Sequence, residues 1–163
     1  MSAAREVVVR VAELRTGGAN DVLVTVGLGS CVAIVLHDPK ARVGGLAHVL
    51  LPSPALTRLD SNPAKFPHSA VPRLVQLMTE QGAKPDRITA RLAGGASMFA
   101  ALAPPGTVHM GERNLVAARQ ALHSQGLPLV GEAVGGDFGR TVRLRVADGR
   151  VEVSTVAHGV QHL

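Results

Sequence analysis

Three residues stand where their side chains could do acyl-transfer chemistry: Thr25, Cys31 and His48, spread across the stretch TVGLGSCVAIVLHDPKARVGGLAHVLLP. Cys31 is the only cysteine in 163 residues, so it cannot form an intramolecular disulfide and must be a free, reactive or buried thiol. A thiol has an ordinary pKa near 8.5 and is mostly protonated at neutral pH, so a catalytic cysteine needs an imidazole beside it. A hairpin of Cys31 to His37 with Arg42 to His48, closed by Asp38-Pro39-Lys40-Ala41, would set His37 opposite Arg42 and Cys31 opposite His48. Opposed residues of an antiparallel pair share a face with Cβ atoms about 4.5–5.5 Å apart, within reach of a sulfur–imidazole contact. A slip of one residue would send the thiol to the other face, so the inference depends on the assumed loop. Thr25 could orient the other ring nitrogen through its hydroxyl or its backbone carbonyl.

The turn Gly27-Leu28-Gly29-Ser30 brings two glycines up to the thiol, where backbone N–H groups can approach a substrate oxygen as an oxyanion hole. From the residues alone, a lone cysteine at a strand start is more often a small buried hydrophobe. Gly94-Gly95-Ala96-Ser97 follows an expected strand and could wall the same site, with Ser97 as a polar contact. No Walker lysine or dinucleotide-binding spacing accompanies these glycines, so they do not read as a phosphate loop.

The elements that must position these groups are legible in the hydrophobic pattern. Val7 to Val11, Val22 to Val26, Val32 to Leu36 and Val43 to Leu51 read as strands, as do Ile88 to Leu92 and Leu129 to Val134. Arg140 to Val146 and Arg150 to Val156 read as a hairpin around Asp148 and Gly149. Val71, Leu74, Val75, Leu77 and Met78 recur at helical spacing between His68 and Gln81, with Gly82 as the stop. Arg113 to Gln125 repeats the design before Gly126, preceded by Glu112, Arg113 and Asn114, which suit either a helix cap or the site. The four prolines from Pro52 to Pro67 suggest an exposed loop, and His158 and His162 fall in a tail expected to fray. The expected fold class is α/β of the α+β type: one layered domain over residues 1–163, with mixed or antiparallel sheet and two main helices.

Composition narrows the function classes. No apolar run approaches the roughly 20 residues of a membrane span, and MSAAREVVVR lacks the apolar core of a secretory signal, which reads as cytoplasmic. The net charge of +5 suits an acidic partner. With three Phe, no Tyr and no Trp, the chain lacks the stacking aromatics of a nucleic-acid binder. His37, His68, His109 and His123 show no metal-ligand spacing and the chain has no second cysteine, so neither a metal nor a cofactor is expected.

The block around Cys31, together with Lys65-Phe66 and Ala70, the run AGGASMF from Ala93, GERN from Gly111, Gly135-Gly136 and GRTVR from Gly139, resembles the CheD family of chemoreceptor glutamine deamidases. The resemblance implies Cys31 as nucleophile in the LGSC turn, His48 in GG-x-AH as its acid and base, and Thr25 as the third member. It implies a layered fold similar to the catalytic domain of the cytotoxic necrotizing factor toxins. It also implies a glutamine deamidase acting through a Cys31 thioester on the helices of methyl-accepting chemotaxis receptors, with receptor glutamate methylesterase activity open to the same chemistry. Phe66 and His68 depart from the family's Tyr and Asp. An alternative is a binding module that regulates a CheC-type phosphatase, and a third is a redox-sensing thiol that would need neither His48 nor Thr25.

Overall fold

The computed structural model describes residues 4–54 and 62–163. Among them, ten strands form two five-stranded sheets, and two α-helices pack on the outer face of one. The strands are β1 (Arg5–Val8), β2 (Leu14–Gly17), β3 (Asp21–Leu28), β4 (Val32–Asp38), β5 (Val43–Val49), β6 (Thr89–Gly94), β7 (Leu129–Val134), β8 (Arg140–Arg145), β9 (Arg150–Thr155) and β10 (Gly159–His162). Helix α1 (Pro67–Glu80) precedes β6, and α2 (Met110–Ser124) precedes β7. The first sheet runs β1-β3-β8-β9-β10 and the second β2-β5-β4-β6-β7, both with parallel and antiparallel pairs.

The alternation of side chains in β4 explains the layering. Val32, Ile34 and Leu36 face the helices, where they pack with Val71, Leu74, Met78, Leu115 and Leu122. Ala33 and Val35 face the other sheet, joined there by Cys31, Leu23, Leu28, Leu46, Val142 and Leu144. Both faces of β4 are covered, which is why its sequence is continuously apolar. The expected α+β class therefore stands, as three layers of helices, sheet and sheet.

The hairpin that carries the site differs from its expected register. Asp38 pairs with Val43 and Ala33 with His48, a displacement of two positions that leaves parity intact. Asp38 sets the shift. Its carboxylate accepts the N–H groups of Lys40 and Ala41, and the Arg42 N–H returns to the Asp38 carbonyl. Residues 39–42 therefore form the turn, with Arg42 in the left-handed region at φ 55°. Burial pushes the Asp38 carboxyl up, but Arg87 and the N–H groups of Lys84, Ala41 and Lys40 outweigh it and hold the pKa at about 2.

Other boundaries moved too. Helix α2 begins at Met110, so Glu112, Arg113 and Asn114 lie inside it rather than before it. The tail around His162 is an edge strand, with Gly159 to His162 paired to Thr155 to Glu152, because backbone hydrogen bonds to β9 hold a segment whose side chains are exposed. The short strand Leu14–Gly17 has no expected counterpart. Within the proline-rich stretch, residues 55–61 lie outside the described residues, while Pro52, Ala64, Phe66 and Pro67 are buried rather than exposed.

Candidate active site

Thr25 and His48 sit on different sheets and meet in the gap between them. Thr25, on β3, shares the inward face with Leu23; His48, on β5, shares the inward face with Leu46. Both side chains are fully buried. The Thr25 hydroxyl lies 2.6 Å from the Val9 carbonyl oxygen and 2.7 Å from His48 Nδ1. Its single proton goes to Val9, since that carbonyl can only accept; toward the ring the oxygen is therefore the acceptor and Nδ1–H the donor. Of the two roles open to Thr25 in the sequence, the structure takes the hydroxyl. The tautomer so fixed leaves Nε2 with its lone pair, buried and without a hydrogen-bond partner. The backbone of His48 is held as firmly, its N–H given to the Glu13 carbonyl and its own carbonyl accepting from Ala12.

Cys31 stands one residue before β4, on the inward side with Ala33 and so on the same face as His48. With Ala33 opposite His48, the thiol is the diagonal neighbour of the imidazole rather than its direct partner. Such diagonals are about 7–8 Å apart in the backbone, less between side chains. Burial pushes the Cys31 thiol up from its ordinary 9.0, and its own backbone N–H offsets this in part. Burial pushes His48 down from 6.5 to about 4. At neutral pH the pair is therefore a thiol beside a neutral imidazole, not the thiolate–imidazolium pair expected from the residue types alone.

The nucleophile turn is clamped from three sides. Gly95 N–H donates to the Cys31 carbonyl at 2.8 Å and Ala96 N–H to the Gly29 carbonyl at 2.9 Å, while Ser97 N–H, outside the turn, donates to the Gly136 carbonyl at 2.9 Å. Gly94 and Gly95 thus support the turn, and the N–H groups of Gly95 and Ser97 are already engaged. Gly94, at φ 104°, is required as glycine: a Cβ there would overlap the Cys31 carbonyl oxygen. Gly27, at φ 74°, lies in a bulge where Thr25 pairs with Val142 and Leu28 with Arg140, giving β3 one extra residue. Gly29 lies beside Met98, a Cβ at the glycine falling 3.7 Å from Met98 Cγ. Ser30 contributes its carbonyl to the third clamp.

That clamp is Asn114. Fully buried on α2, it donates from Nδ2 to the Ser30 carbonyl at 2.9 Å and to the Leu50 carbonyl at 3.1 Å. One amide thereby ties the residue before Cys31 to a residue two beyond His48. The signal was present in the sequence as an asparagine in the GERN run, but its reach across to two loops is not encoded locally. Val9, whose carbonyl takes the Thr25 proton, was likewise invisible from the sequence.

The fold and this geometry define an α+β sandwich that holds a lone thiol and a hydroxyl-oriented imidazole on one face of two adjacent strands. A family model described as CheD chemotactic sensory transduction matches residues 50–155. A protein of Caldanaerobacter subterraneus subsp. tengcongensis named "Probable chemoreceptor glutamine deamidase CheD" is 40% identical over 95% of this chain and 96% of its own length. A Geobacter metallireducens protein, of the same name with the suffix 2, is 42% identical over 95% of this chain and 96% of its own. The chain belongs to the CheD family. Among solved structures, a Neisseria meningitidis protein of family DUF152, NMB0706, shares the fold at TM-score 0.54 and 10% identity, over 83% of this chain and 65% of that one.

Proposed function

We propose that this protein is a chemoreceptor glutamine deamidase, converting receptor glutamine side chains to glutamate with Cys31 as nucleophile, His48 as acid and base, and Thr25 as the group that orients His48. The observation that carries the reading is the Thr25–His48 hydrogen bond, which leaves the basic Nε2 free on the face shared with the only thiol. Family membership at about 40% identity supplies the reaction class.

In this mechanism His48 Nε2 takes the Cys31 proton as sulfur attacks the glutamine side-chain carbonyl. The resulting oxyanion is received by N–H groups of the Gly29-Ser30-Cys31 turn, those of Gly95 and Ser97 being engaged elsewhere. His48 then gives its proton to the nitrogen, the C–N bond breaks, and ammonia leaves a thioester. Water, deprotonated by His48, attacks that thioester and releases glutamate and the thiol. A glutamate methyl ester would form the same thioester with methanol as leaving group, so receptor methylesterase activity follows from the same residues.

Val26, next to Thr25, and Met98, beside Gly29, with its chain neighbour Phe99, form an exposed apolar rim at the site. This rim suits the helix of a receptor cytoplasmic domain, and the net charge of +5 suits approach to its acidic surface. No helix among the described residues is long and apolar enough to cross a membrane. A substrate on a receptor's cytoplasmic portion would place the work in the cytoplasm. The other reading, a non-catalytic module regulating a CheC-type phosphatase, would not need His48. Incubation with glutamine-bearing receptor cytoplasmic fragments, followed by ammonia release and the roughly one-dalton Gln-to-Glu gain, tests the reading. Replacing His48 should abolish the gain and leave partner binding intact.

A further inference from the structure

Beside the nucleophile turn lies a cavity of about 440 Å³, lined by Gly27, Phe138, Arg140, Thr141, Ser154 and Thr155 among others. Its place in the fold is fixed by register: Arg140 is the cross-strand partner of Leu28, three residues before Cys31, and the cavity wall includes the Gly27 bulge. Arg140 is the unusual member. It is only 6% exposed, yet no carboxylate among the described residues pairs with it. Its Nη1 donates to the Gly135 carbonyl at 2.8 Å, and its guanidinium carbon lies 4.4 Å from the centre of the Phe138 ring. A neutral carbonyl and a ring face compensate a buried cation only in part. The guanidinium fork has donors to spare, and Thr155, on the Arg140 face of β9, lines the cavity with it.

We propose that this cavity is a substrate subsite that takes one carboxylate side chain of the polypeptide, flanking the glutamine presented to Cys31, with Arg140 as its ligand. A carboxylate matches the guanidinium fork in charge and in geometry. It also supplies the negative charge that Arg140 lacks among the described residues. The proposal rests on the deamidase reading and adds the chemistry that selects among glutamines: those with an acidic neighbour at the spacing between Cys31 and Arg140.

The test uses a receptor cytoplasmic fragment in which each Asp or Glu within about one helical turn of a modified glutamine is changed in turn to its amide or to Ala. Wild type, Arg140→Lys, Arg140→Gln and Thr155→Glu are compared on each fragment. Thr155 lines the cavity and, one residue beyond the Thr141–Ser154 pair, lies on the same face of the sheet as Arg140, so the carboxylate added in Thr155→Glu occupies Arg140 from within and tests the subsite even if Arg140 variants fold poorly. Wild type should show one acidic position whose neutralisation raises KM about tenfold with little change in kcat, as loss of one charge-assisted hydrogen bond implies. Thr155→Glu and Arg140→Gln should lose that preference, and Arg140→Lys should keep part of it. Cys31 alkylation by iodoacetamide should run at the wild-type rate in all four, showing that the site itself is intact. An acidic preference unchanged in Thr155→Glu and Arg140→Gln would overturn the proposal, as would the lack of any preference in wild type. Binding of the same fragments to Cys31→Ala carries the comparison independently of turnover. An enzyme that binds with the acidic preference but never deamidates would contradict the deamidase reading and leave the subsite standing.

Discussion

Thr25 Oγ1 stands 2.7 Å from His48 Nδ1 across the gap between the two sheets, and its own proton is committed to the Val9 carbonyl. The hydroxyl is therefore an acceptor toward the ring, and the imidazole is held as the tautomer whose Nε2 can take a proton. Thr25→Val removes that acceptor while keeping the shape of the side chain. It should lower kcat by about tenfold to a hundredfold, the usual loss when a residue that orients a reacting imidazole is removed, with KM little changed. Thr25→Ser keeps the hydroxyl and should recover most of the rate. Equal losses in both variants, measured by ammonia release, would contradict the orienting role.

The state of the pair before substrate binds is open to a direct check. With burial raising the Cys31 thiol above 9.0 and lowering His48 to about 4, the free enzyme holds thiol and neutral imidazole. The rate of Cys31 alkylation should rise with pH through a midpoint above that of an ordinary exposed thiol. The acid limb of kcat/KM should fall only as pH approaches about 4, where His48 gains a proton and can no longer accept one from sulfur. An alkylation midpoint below about 7, where activated thiolates titrate, would instead indicate a preformed ion pair.

The same burial ties stability to pH. The folded state prefers neutral His48, with a pKa of about 4 against 6.5, so its contribution is fully present above 6.5 and is lost as pH falls through about 4. A shift of this size corresponds to roughly 3 kcal/mol. Urea unfolding midpoints should drop between pH 6.5 and 4 in wild type and much less in His48→Gln. The ion-paired Asp38 acts lower, between 3.8 and about 2, and leaves that window clear. Identical slopes in the two proteins would contradict the assignment.

How much of this was legible beforehand depended on whether the information was local. Alternation in Val32 to Leu36 and the parity of the hairpin are local, so Cys31 and His48 were placed on one face correctly. The register was off by two because the Asp38 carboxylate closes the turn over Lys40 and Ala41, a side-chain contact that loop length alone does not reveal. The Thr25 contact joins residues on separate sheets; the sequence offers its hydroxyl or its carbonyl to the ring, and the choice of hydroxyl appears only in three dimensions. Asn114 was read as a possible cap since it sat near an expected helix start, whereas its partners, Ser30 and Leu50, are far away in the chain. The edge strand at Gly159–His162 has no apolar alternation to mark it, since its residues are all exposed and its order comes from backbone pairing.

Asn114 should act by position. Asn114→Leu keeps bulk and removes both donors, leaving the Ser30 and Leu50 carbonyls without a partner from this residue, at a cost of about 1–3 kcal/mol each if they stay buried. Stability by urea titration should fall, and kcat should fall more than KM rises, because the turn before Cys31 and the strand end after His48 are no longer tied. A stable protein with wild-type kcat would show that the clamp does not set the geometry of the pair.

The central claim is that a covalent bond forms between Cys31 and a receptor glutamine. Turnover mixtures of enzyme and a glutamine-bearing receptor peptide, quenched in acid within the first turnovers, can be read by intact mass and then by digestion. The account predicts wild-type enzyme heavier by the peptide less one ammonia, the adduct located on the fragment that holds Cys31, and neither adduct nor glutamate product with Cys31→Ala. Deamidation proceeding at the wild-type rate in Cys31→Ala would contradict it.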